Sequence, residues 1–185
     1  MAKGAGTFGT VTVGDGGRFS PGNSPGTAIV SGLTFGSGGR YDFELNGANA
    51  TPGNGADFLN VLGNLHIAAG TTPNSVFTLA ITSLNGSNQQ AALGDFDPRQ
   101  SYTLTLATAA GGITGFSANE FVVDTGAFGN SLQGGNFTVL LSGNSLQLQF
   151  TPVPEPAALS ALVVGVAVVG CVRRRVRRSR LTTST

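Results

Sequence analysis

Ionisable and redox-active side chains are scarce in this sequence. Its 185 residues include one cysteine (Cys171), one histidine (His66), one methionine and no tryptophan, and only 10% are charged, against roughly 25% in an ordinary soluble domain. A disulfide framework needs two cysteines, and a zinc site or Cys/His catalytic pair needs more soft ligands than the chain holds. Acid/base catalysis has little to work with, so the expectation is a protein that is not an enzyme, with no catalytic, cofactor-binding or metal-binding residue assigned. Helical periodicity is missing before residue 157. The first ten residues also lack the apolar stretch of a secretory signal.

What is abundant is glycine, 29 residues, more than twice the usual share of about 7%. Part of it is periodic. Val11-Thr12-Val13-Gly14-Asp15-Gly16-Gly17-Arg18-Phe19 aligns without a gap on Leu33-Thr34-Phe35-Gly36-Ser37-Gly38-Gly39-Arg40-Tyr41, with five of nine positions identical and three more exchanging one apolar residue for another. The offset is 22 residues. Each copy is a β-type run, a glycine turn permitting positive φ, and a second β-type run. A period of this length built from strands and turns predicts one coil of a β-solenoid, which buries its apolar face only by stacking on neighbouring coils. Residues 58–68 are a candidate for a degenerate further coil, without a convincing alignment.

Further along, alternation of period two predicts strands. Phe77, Leu79 and Ile81 share one face, and so do Tyr102, Leu104 and Leu106. Over residues 136–151, Gly143-Asn144 reads as a two-residue hairpin turn. It sets Leu141 opposite Leu146, Val139 opposite Leu148 and Phe137 opposite Phe150, and a one-residue slip would destroy that apolar face. The expected fold class is all-β, solenoid-like with a C-terminal hairpin, followed by one transmembrane helix.

The charge balance changes sign near residue 152. Residues 1–152 carry four basic and eight acidic side chains, whereas residues 153–185 carry six arginines and Glu155 alone. Val153-Pro154-Glu155-Pro156 breaks regular structure, residues 157–172 are apolar or glycine apart from Ser160, and Arg173, Arg174, Arg175, Arg177, Arg178 and Arg180 follow. Sixteen residues of helix span about 24 Å against a hydrocarbon core of about 30 Å, a deficit that snorkelling and local thinning absorb. The predicted division is an extracytoplasmic repeat domain (1–152), a Pro-Glu-Pro element (153–156), a membrane helix (157–172) and a cytoplasmic stop-transfer tail (173–185), oriented by its arginines.

This order of Pro-Glu-Pro, apolar helix and arginine cluster resembles the PEP-CTERM sorting signal of Gram-negative bacteria. The resemblance implies a membrane-embedded exosortase as processing partner, insertion in the inner membrane during sorting, and delivery to the cell surface or an extracellular polysaccharide matrix. Residues 6–70 are similar, more loosely, to autotransporter-associated β-strand repeats, which imply a surface passenger and bring no catalytic residues. Two clear coils without a leader lead to the expectation that the chain is the C-terminal part of a longer passenger.

Other constellations have plainer readings. Asp42 and Glu44 share a strand face with Cα atoms about 7 Å apart, a carboxylate pair of the kind glycoside hydrolysis uses, but no aromatic platform accompanies it. Tyr41 and Tyr102 fall on apolar faces. Asp15, Asp95 and Asp97 sit in turn sequences that need no calcium. His66 shares a face with Asn60 and Asn64 opposite Leu59, Val61, Leu65 and Ile67, and lacks a partner set. Cys171 reads as a small apolar residue at the membrane boundary. The arginine cluster has no interleaved aromatics, so no nucleic acid is expected as a partner. The functional expectation is a structural or adhesive surface component. The alternatives are a non-catalytic carbohydrate-binding module using Asn, Gln, Ser and Thr faces, or the end of a polysaccharide-processing enzyme.

Overall fold

A computed structural model describes residues 2–154. The expected membrane helix over 157–172, the arginine tail, Cys171, Glu155 and Pro156 lie outside the described residues. No helix among the described residues is long and apolar enough to cross a membrane, and their only helical element is a single 3-10 turn, Ala118–Glu120. Everything else regular is β, as expected.

The chain opens with β1 (Ala2–Gly4), and the two copies of the repeat then fall in β2 (Thr7–Val13) with β3 (Arg18–Pro21) and in β4 (Thr27–Gly36) with β5 (Arg40–Leu45). A short excursion follows, β6 (Thr51–Pro52) and β7 (Gly55–Ala56). Then come β8 (Phe58–Val61), β9 (Leu65–Ala68), β10 (Phe77–Ser83), β11 (Tyr102–Ala109), β12 (Ile113–Thr114) and β13 (Phe121–Ala127). A hairpin, β14 (Asn136–Ser142) and β15 (Ser145–Thr151), ends the body.

These strands form two sheets. In the first, β1, β3, β5, β10 and β13 lie side by side, all parallel. In the second, β2 pairs with β4, β4 with β8 and β9, β8 with β11 and β9 with β12, again all parallel. The registers reproduce the sequence repeat: Val11 pairs with Leu33 and Val13 with Phe35 in the second sheet, Arg18 with Arg40 and Phe19 with Tyr41 in the first. Parallel pairing follows because each repeat returns to the same place pointing the same way, so like residues stack on like.

The second sheet is bent. Along β4 the inward side chains are Ala28 and Val30, then Leu33 and Phe35, and that change of parity turns the strand at Ser31-Gly32. The neighbouring strands turn at Gly63 and at Gly111-Gly112, where the backbone ladder continues through Leu33 N–H to Asn64 O and Leu65 N–H to Gly112 O, both 3.0 Å. Close approach makes glycine necessary here: a Cβ on Gly63 would stand 2.5 Å from the Ser31 carbonyl oxygen. The repeat turns have their own glycine logic. Gly16 and Gly38 adopt φ of 67° and 71°, the third-position conformation of turns closed by Gly17 N–H to Gly14 O and Gly39 N–H to Gly36 O.

Residues 58–68 do continue the stack. Leu65 pairs with Leu33 and Ile67 with Phe35, while Leu59 pairs with Ala28. Their resemblance to the earlier copies is hidden by an added residue at the corner, Leu62-Gly63-Asn64 in place of Ser31-Gly32, and by a longer turn over 69–76.

Between the sheets lies one apolar core containing Phe19, Phe35, Tyr41, Phe43, Phe77, Leu79 and Ile81, each at most 1% exposed. Burial of each such side chain contributes about 1.5–3 kcal/mol. Phe35 and Phe77 stack at 4.2 Å between centroids, and Phe77 meets Phe121 edge-on at 5.9 Å. A second aromatic group closes the C-terminal end, with Phe96 against Tyr102, Phe128 and Phe150 at 5.0–5.3 Å. The hairpin has the expected register, Phe137 with Phe150, Val139 with Leu148 and Leu141 with Leu146, and Gly143 takes φ of 54°. Its β15 lies antiparallel on β11.

Candidate functional site

The outward faces of the two sheets differ in chemistry. Strands of the first sheet bear Arg18, Arg40, Asp42, Glu44 and Asp124. Strands of the second contain no Asp, Glu, Lys or Arg, and His66 is their only ionisable imidazole.

On the first sheet Arg18, Arg40, Asp42 and Asp124 are paired with one another. Asp42 receives Arg18 through Nε and Nη2, both at 3.0 Å, and Arg40 through Nε at 2.7 Å. Arg40 Nη1 reaches Asp124 at 2.9 Å. Asp42 and Asp124 are the register partners of Ala80 on either side, so the Arg40 guanidinium bridges them above the Ala80 methyl. Ala80 is 4% exposed despite its outward position. Burial opposes the charge on Arg40, but the hydrogen bonds and proximity of the two aspartates outweigh it and raise the pKa. The Gly126 N–H, and then Arg40, hold the Asp124 carboxyl below the usual carboxylate range. Asp42 and Glu44 do share a strand face, as expected. Asp42 is committed to two arginines, while Glu44 Oε2 is buried without a hydrogen-bond partner among the described residues.

The other singled-out residues fall in separate places. Asp95 accepts the Ala48 N–H with both oxygens, at 2.9 and 3.0 Å. Asp97 accepts the Arg99 N–H, and that bond, with the Arg99 side chain, lowers its pKa. Asp15 stands in the first repeat turn. No group of three or more His, Cys, Asp or Glu among the described residues could hold a metal ion. His66 is exposed on β9, its Nδ1 3.1 Å from Thr114 Oγ1. Its neighbours Leu59, Val61, Leu65 and Ile67 are buried on the opposite face, as expected. Tyr41 is fully buried and donates to the Leu106 carbonyl at 3.3 Å. Burial, with Asp57 nearby, pushes its pKa well up. Val153 and Pro154, of the element expected to serve in sorting, are exposed.

Two structural residues escaped the sequence reading. Asp57, fully buried, accepts the Gly26 N–H at 2.7 Å and the Glu44 N–H at 3.0 Å, tying the entry of β4 to β5. Asn130 clasps Leu93 through a pair of bonds, accepting its N–H at 2.7 Å and donating to its carbonyl at 3.0 Å. They act on backbone groups 13, 31 and 37 residues away, which no local pattern signals.

Over β11, β15 and β14 the outer face of the second sheet is a polar grid interrupted by Leu140. Across β11, β15 and β14 run the rows Thr103, Gln149, Thr138 and Thr108, Ser145, Ser142, with Thr105 and Gln147 between them. None of these side chains is buried, and none makes a side-chain hydrogen bond to another group among the described residues. No protein-family model matches the sequence, and no curated protein matches it.

Proposed function

We propose that the chain is an exported, non-enzymatic component of the cell surface or extracellular matrix, with a β-solenoid body and a sorting tail of PEP-CTERM type. The observation that carries this reading is the 22-residue register shared by both sheets. A body that returns strand upon strand in the same direction builds a rod from local turns, and rods of this kind serve as spacers and adhesive shafts. Arg18, Arg40, Asp42 and Asp124 of the first sheet favour the same passive role, since they are engaged in an ion-pair ladder. The tail supplies the address. Pro154-Glu155-Pro156 would present the processing element, the apolar helix would hold the chain in the inner membrane, and the arginines would keep its end in the cytoplasm.

Replacing Pro154, Glu155 and Pro156 with alanine in an exosortase-bearing host tests this. The variant is expected to stay full-length in the inner membrane while the parent chain is shortened and released. Equal shortening and release of both would overturn the sorting assignment.

A further inference from the structure

The grid on β11, β15 and β14 carries no charge, and its hydroxyls and amides face outward rather than bonding to other side chains. Neighbouring strands stand about 4.8 Å apart and successive outward residues about 7 Å apart, so donors and acceptors recur at fixed intervals in two directions. Each Thr or Ser hydroxyl offers one donor and two acceptors, and each Gln amide offers two donors and an acceptor oxygen. Asn60 on β8 extends the row of Thr108 and Ser145 by another strand.

Several classes of ligand are poorly served by such a surface. Nucleic acids and acidic glycans require cations to neutralise their charge, and the strands of this sheet carry none. A protein partner is usually met by Tyr, Trp, Arg or Met, which are missing from the outer positions of these three strands. Of the outward residues here, Leu140 alone is apolar and Leu141 at the hairpin tip is 39% exposed, too little for a lipid surface. What matches an uncharged lattice of hydroxyls and amides is an uncharged polymer of hydroxyls.

We propose that this face binds a neutral polysaccharide, laid across the three strands with its hydroxyl groups bonded to Gln147, Gln149 and the threonines beside them. The proposal rests on the matrix-component reading for its setting and on the grid for its chemistry. All the phenylalanines but Phe58 are engaged in ring contacts with other aromatics, and Phe58 stands on β8, so sugar rings find no stacking platform on the three strands of the grid. Individual contacts are therefore weak, and a long repeating chain gains its hold by rebinding along the grid.

The test is affinity electrophoresis of the full chain in neutral detergent, through gels cast with a neutral galactomannan, a neutral β-glucan or alginate. At least one neutral gel should retard the protein and alginate should not. The variant Gln147→Ala/Gln149→Ala, with an unchanged melting profile, should bind about tenfold more weakly. A second variant, Gln147→Glu/Gln149→Glu, keeps the side-chain shape and should lose binding similarly. Absence of retardation in both neutral gels, unchanged retardation of the variants, or stronger retardation by alginate would each sink the proposal. Such a failure leaves the sorting assignment intact, because the Pro-Glu-Pro replacement is read by chain length and release.

Discussion

Arg18 and Asp42 are joined by two hydrogen bonds of 3.0 Å across a separation of 24 residues. The guanidinium of one rung thus grips the carboxylate that lies one repeat and two residues further on. Arg40, the counterpart of Arg18 one period later, spans Ala80 to reach Asp124. The ladder gives the turn-rich stack a directional clasp on its solvent side.

Because Arg18 is about half exposed, its pair with Asp42 is worth about 0.5–1 kcal/mol. A double-mutant cycle of Arg18→Gln and Asp42→Asn should return a coupling of that size in urea unfolding, shrinking at high salt. Asp42→Asn alone should cost more than Arg18→Gln, since it also deprives Arg40 of a partner. On the acid side, the lowered Asp124 pKa means that its contribution is complete above about pH 4 and fades as pH falls through the folded value. Asp124→Asn should flatten that part of the stability curve.

Glycines at the corners and in the loops divide into required and tolerant ones. Gly63→Ala forces a Cβ against the Ser31 carbonyl and should cost about 2 kcal/mol. Gly94→Ala meets nothing within 4 Å and should be neutral, or stabilising by about 0.5 kcal/mol through the unfolded chain. Thermal melts of the two variants should move in clearly different ways. Equal shifts would remove the close-approach argument.

Asp57 binds two backbone N–H groups, that of Gly26 just before β4 and that of Glu44 on β5. Asn at this position turns one acceptor into a donor that faces an N–H, so Asp57→Asn should destabilise the body by about 3 kcal/mol. Hydrogen exchange at Gly26 and Glu44 should rise before that of the Phe35–Phe77 region.

Tyr41 gives the alkaline side of the profile. Its pKa is raised in the fold, so the folded state retains a proton that the unfolded chain releases above about pH 10. Stability from this source is whole below that pH and is lost as pH rises toward the folded value. Tyr41→Phe forgoes the bond to the Leu106 carbonyl and should be less stable at neutral pH. Its stability should decline less steeply in alkali than that of the parent, as followed by urea midpoints at increasing pH.

The sequence made the all-β class, the 22-residue rung and the hairpin register readable, because each depends on local alternation and turn glycines. Phe137, Val139 and Leu141 find their partners through a two-residue turn, so local rules suffice. Residues 58–68 were harder, since one extra residue at Gly63 breaks a gap-free alignment while leaving the spatial stack intact. Asp57 and Asn130 were invisible because their partners are backbone groups brought near only by the completed fold. The contrast between charged and neutral sheets lies between these cases. Every residue was in view, but assigning Thr103, Gln147 and Gln149 to one face required the pairing of β11, β15 and β14.

The antiparallel β14–β15 hairpin bears on how such a molecule changes length over evolutionary time. Its β15 edge pairs with β11, its inner face meets the aromatic group around Phe96, and it shares no pairing with β2, β4 or β5. A duplicated 22-residue segment near the earlier rungs would therefore extend the stack by one layer without redesigning its closure. Length becomes adjustable by copying, while one C-terminal stopper serves every variant.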